Sequence, residues 1–163
     1  AAHQRSQVYQ VVTDHPLRPF QYGDLRVSFF RKRPIVEKMW EQETVPSGYL
    51  HVSTAAVTAY DLLYLPHACR SLSSVATILV ELGEAMTSSS LAALNDVNCE
   101  TPPLQRLGWL LDHTGWQKIT SKLHDVVEAR HPKWQPLALR LGSSGHRDTR
   151  WHIIENTDVQ PDI

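Results

Sequence analysis

Cysteine is scarce: Cys69 and Cys99 are the only two in 163 residues, too far apart for a CxxC pair and too few for a secreted disulfide framework. Charge or proline interrupts every apolar stretch, so none reaches the roughly 20 residues of a membrane-spanning helix. No apolar segment follows Ala1-Ala2-His3-Gln4-Arg5, which excludes a signal peptide there. The seven glycines never group as GxGxxG or as a P-loop, and Gly142-Ser143-Ser144-Gly145 lacks the GxSxG spacing of a nucleophile elbow. Nine histidines are present, yet no HExxH or HxxxH occurs. His124 and His131 lie too far apart along a helix to share an ion, and His3, His15, His51, His67, His113, His146 and His152 are scattered. These absences predict a cytoplasmic, reduced chain with no metal and no cofactor.

What is there belongs to a folded protein. The 42% apolar and 20% charged content lies far from the disordered regime, and 163 residues suffice for one domain, assigned here to residues 1–163. The net charge of −1 hides an asymmetry. Residues 1–36 carry six cations against two acids, or +4, and the remainder carries ten against fifteen, or −5. Arg31-Lys32-Arg33, with Arg5 and Arg18 nearby in sequence, reads as a DNA-backbone contact, because clustered cations meet phosphates without reading bases. A solvated edge strand that blocks aggregation is an equally weighted reading.

Patterning predicts strands over 7–13 and 25–31, the second after a turn at Tyr22-Gly23-Asp24, paired as a hairpin, and a third strand over 49–53. Helices follow: one capped by Ser53 or Thr54, one over 71–86, a short one over 90–97, one opened by Pro102 or Pro103, and one over 116–130. A last strand covers 151–154. The expected class is α+β, a small mixed sheet of three early strands and one returning C-terminal strand packed against about five helices. Asp61 and Arg106, set among apolar neighbours, are expected to be structural polar residues, and Gly108 to mark a close approach between helices.

The opening Ala1-Ala2-His3-Gln4-Arg5-Ser6-Gln7-Val8 resembles a segment of AbiEi-type antitoxins, with Ser6 in place of the usual Pro. Pro46 to Thr54, Thr58 to Leu63, Val75 to Leu82 and Gln105-Arg106-Leu107-Gly108-Trp109-Leu110-Leu111-Asp112 are similar to further landmarks of that family, in its order. Ala55-Ala56 and Arg70-Ser71-Leu72 depart from the family's Pro-Glu and Gly-Gly-Leu.

The resemblance implies an antitoxin of an abortive-infection, type IV toxin-antitoxin system that also represses its own operon. It implies a winged helix-turn-helix ahead of this region that binds promoter DNA. No segment of these 163 residues reads as that module, so the chain is expected to be the C-terminal part. It further implies a nucleotidyltransferase-type toxin partner held in no stable complex, and no enzymatic activity. The competing expectations are a small metal-dependent nucleotidyltransferase or nuclease-like enzyme built on Asp61 and dispersed His and Glu, or a pure interaction or dimerisation module.

Overall fold

The structure, a computed structural model, describes residues 7–32, 34–65 and 68–162. The chain divides into two compact units, Ala1–Glu37 and Lys38–Ile163.

In the first unit, β1 (Gln7–Thr13), β2 (Phe20–Tyr22) and β3 (Leu25–Arg31) form one sheet in the order β1-β3-β2. The expected hairpin belongs to β2 and β3, which run antiparallel across Gly23 at φ +57°, a left-handed turn conformation that glycine adopts without strain. β1 pairs with β3 in parallel, Gln7 opposite Leu25 through Thr13 opposite Arg31. Parallel neighbours cannot be joined by a tight turn, and residues 14–24 supply the connection.

The second unit opens with β4 (Trp40–Val45) and β5 (Gly48–Ser53), a hairpin in which Val45 faces Gly48 across Pro46-Ser47. Thr54 ends it and caps α1 (Ala55–Tyr64), its hydroxyl accepting from the Val57 amide at 3.2 Å. Ser71 caps α2 (Leu72–Leu82) in the same way through Ser74. α3 (Ser88–Ala92) starts in a reciprocal capping box between Thr87 and Ser90. α4 (Thr101–His113) begins on Pro102 and Pro103, which lack only the amides that a first turn leaves unbonded, and α5 is Ser121–Ala129.

The class is α+β, with five α-helices and several small sheets among the described residues. The closing strand differs from expectation. β8 (Ile153–Glu155) does not return to the early strands. It pairs in parallel with β6 (Gln135–Pro136) and antiparallel with β7 (His146–Asp148), forming a C-terminal sheet of its own. Two things explain this: Ile153 is needed by the helical core, where it is fully buried, and β6 lies close by in sequence to pair with it.

The core sits around α4. Every residue from Pro103 to Leu111 is buried, so this helix has no solvent face along most of its length. Leu79 of α2, Leu123 of α5, Leu137 and Trp151 pack with it in one continuous cluster. Gly108 marks a close approach, but its neighbour is the Trp151 ring and not another helix: a Cβ placed there would lie 2.3 Å from ring atoms.

This packing yields a test. Gly108→Ala should lose about 2 kcal/mol through overpacking against Trp151, although alanine is the better helix former by about 1 kcal/mol. Urea denaturation followed by tryptophan fluorescence measures it, and a stabilised variant would show that Trp151 is free to move aside.

Candidate functional site

The described cations of the basic front differ in their surroundings. Arg31 ends β3 and is exposed, Lys32 is buried at 6% exposure, and Arg18 is exposed in the connection between β1 and β2. Arg5 and Arg33 lie outside the described residues. Arg26, exposed in mid-strand, shares the face of its partners Val8 and Gln21.

Arg31 shares the opposite face, because paired residues of adjacent strands point the same way. That face also carries Tyr9, Val11, Phe20, Tyr22 and Phe29. Phe20 and Phe29 meet at 6.1 Å between ring centroids, while Tyr9, Phe20 and Tyr22 are 53%, 53% and 83% exposed. An aromatic sheet face edged by arginine was missed in the sequence, although the alternation in Gln7–Thr13 and the aromatics of Phe20–Tyr22 were the available signal. Such a face can stack on bases or bury against a protein.

The second unit commits its unusual polar residues to the fold. Helix α4 is buried nearly all round, and its polar side chains need partners inside the protein. Gln105, fully buried, donates from Nε2 to the carbonyls of Lys133 at 2.8 Å and Trp151 at 3.0 Å. Arg106 donates from Nε to the Pro136 carbonyl at 3.0 Å, and burial pulls its pKa below the usual guanidinium value. Trp109 donates to Glu155 at 3.0 Å.

Asp112, one residue from the end of α4, gathers three donors. Its Oδ1 accepts from the Thr120 hydroxyl at 2.7 Å, and its Oδ2 accepts from Arg150 Nε at 2.9 Å and from the Trp151 indole at 2.8 Å. It is the polar centre that sequence reasoning passed over. The signal was a carboxylate in the last turn of a helix, where the macrodipole disfavours negative charge and compensating donors are needed. Asp61 lies on α1 and is 8% exposed. On the same helix Tyr60 accepts from the Glu100 amide at 2.8 Å, and burial raises its pKa well above the ordinary phenol value.

Four of the described histidines sit against tryptophan rings. His51 stacks on Trp40 at 3.6 Å and His113 on Trp109 at 3.7 Å, His124 meets Trp151 edge-on at 5.3 Å, and His152 lies 5.0 Å from Trp134. Their rings serve as flat packing partners. Among the described residues, no three His, Cys, Asp or Glu side chains converge to hold a metal ion, and no helix is long and apolar enough to cross a membrane.

Removing the Asp112 carboxylate takes the acceptor from the Trp151 indole and Arg150 Nε and leaves the Thr120 hydroxyl only the Gln117 carbonyl at 3.2 Å. Asp112→Ala should lose about 3 kcal/mol in chemical denaturation. A loss within about 0.5 kcal/mol, the size of an ordinary surface substitution, would mean that water replaces the carboxylate at no cost.

Comparison with known families gives a match to the family described as AbiEi antitoxin C-terminal domain, over residues 1–113. No curated protein and no solved structure matches the chain. The matched span takes in the N-terminal sheet, β4, β5 and α1 to α4, and it ends on the last residue of α4. The chain belongs to the AbiEi antitoxin C-terminal domain family, the antitoxin side of a toxin-antitoxin system.

Proposed function

We propose that this chain is the antitoxin domain of a cytoplasmic, autoregulatory repressor of the abortive-infection, type IV kind, acting by binding and not by catalysis. The observation that carries the reading is the family match, which runs unbroken through the first unit and most of the helices of the second. The polar residues of the landmark helix support it, because Gln105, Arg106, Trp109 and Asp112 are each spent on tertiary hydrogen bonds. In this reading the toxin is a nucleotidyltransferase countered without a stable complex. Sequence-specific promoter recognition belongs to a winged helix-turn-helix of the kind such repressors carry, and the basic N-terminal unit adds contacts to the DNA backbone through Arg31 and Arg18, with Arg5, Lys32 and Arg33 as further candidates.

A second reading is favoured by one specific observation. The exposed aromatic face of Tyr9, Phe20 and Tyr22 suits a protein-interaction or dimerisation module. Sedimentation of the chain with and without Phe20→Ser and Tyr22→Ser separates the two, since only that reading predicts self-association that the substitutions abolish.

The DNA-backbone role has its own test. The chain should bind promoter and scrambled duplexes weakly and alike in fluorescence anisotropy, with affinity falling as salt rises. Changing Arg31 and Arg18 to Ala should flatten the log-log salt slope by roughly 0.9 for each phosphate that is no longer neutralised. Tight promoter-selective binding would place the reading element within these residues, and an unchanged slope would reduce the cations to a solvated edge.

A further inference from the structure

Arg106 is 5% exposed, and its one hydrogen bond among the described residues runs from Nε to the Pro136 carbonyl. No carboxylate lies within ion-pair distance of it among those residues. The remaining four N–H donors of its guanidinium have no protein acceptor there, and its terminal nitrogens are reached by solvent. Arg106 also lines a cavity of about 320 Å³, a volume at the small end of ligand sites.

The rest of that cavity has a mixed character. Arg140, exposed, is a second cation on its wall, and the capped start of α2 at Ser71 and Leu72 brings the positive end of an 11-residue helix to it. Between the charges the wall is aliphatic, with Leu63 and Val75 inside. Leu139 and Leu141, which also line the cavity, are 72% and 61% exposed. A buried cation lacking a counter-charge, in a pocket whose remaining wall is mainly aliphatic, matches a molecule with one anionic end and an aliphatic body.

We propose that this cavity is a binding site for a small aliphatic carboxylate, whose carboxylate pairs with Arg106 and whose hydrocarbon packs against Leu63, Val75 and Leu139. The carboxylate takes two of the free guanidinium donors in a bidentate pair, and Arg140 closes over it from the rim. Planar fork-to-fork geometry and the apolar wall favour a carboxylate over phosphate, which carries no hydrocarbon to fill the pocket. The proposal is independent of how the chain meets DNA or toxin.

The test uses the intact chain with hexanoate, hexanamide and inorganic phosphate as probes. Calorimetry reads affinity, and the rate of iodoacetamide alkylation at Cys69, a half-buried thiol on the cavity wall, reads occupancy. Cys99 is buried and serves as the internal reference. Hexanoate should bind saturably and protect Cys69, whereas hexanamide and phosphate at equal concentration should not. Arg106→Gln should weaken hexanoate by about tenfold or more. Since loss of a buried side chain can compromise folding, Leu139→Glu provides a second variant: an exposed position where a new carboxylate should repel hexanoate to a similar degree. A peptide with a free C-terminal leucine, run beside its amidated form, tells whether the carboxylate belongs to a chain end or to a free acid. Absence of saturable hexanoate binding, equal binding of hexanamide or phosphate, or wild-type affinity in Leu139→Glu would each overturn the proposal.

Discussion

Helix α4 is the constraint on which the second unit depends. A helix buried from Pro103 to Leu111 has nowhere to send polar side chains except into the protein, and Gln105, Arg106 and Trp109 all reach the same stretch of chain, residues 133–155. Gln105 holds the backbone at Lys133 and Trp151, Gly108 lets the Trp151 ring lie close against the helix, and Asp112 takes the indole N–H of that same ring. Trp151 is thus gripped at its carbonyl, its ring and its nitrogen, which places Ile153 in the core and sets the register of β8.

The first unit follows other rules. Three strands, of seven, three and seven residues, with Val27 as the buried hydrophobic among them, make a sheet near the lower limit of independent stability. Its register divides the arginines of β3, Arg26 to one face and Arg31 to the other. Tyr9, Phe20, Tyr22 and Phe29 gather on the Arg31 face, and Phe30 lies on the other.

Local signals made much of the fold legible. Thr54 announces α1 as a hydroxyl cap before an apolar stripe, the helical spacing after Ser71 announces α2, and Pro102-Pro103 announces α4. Strand β4 was hidden because Glu41, Gln42 and Glu43 replace the alternation that normally marks a strand, its pairing with β5 coming from the turn instead. The partner of the last strand was hidden because β6 is two residues long and one of them is Pro136. The burial of Lys32 could not be read from a neighbourhood of arginines, and the role of Asp112 depends on Thr120, Arg150 and Trp151, which no local pattern connects to it. The family landmarks were visible, and their meaning came only with the structure: Gln105 to Asp112 reads as a motif because its polar members answer distant partners.

The grip on Trp151 also has a direction in time. During synthesis α4 leaves the ribosome well before residues 133–155 exist, so its leucines must wait for their packing partners and the amide of Gln105 for acceptors as many as 47 residues downstream. A chain released early, or nicked in the segment after α5, would keep the whole family-matched span through His113 and still lack the interactions that close its core. A cut in the segment after α5 that freed Trp151 would uncover the face of α4 at Gly108 and leave Asp112 without the indole donor.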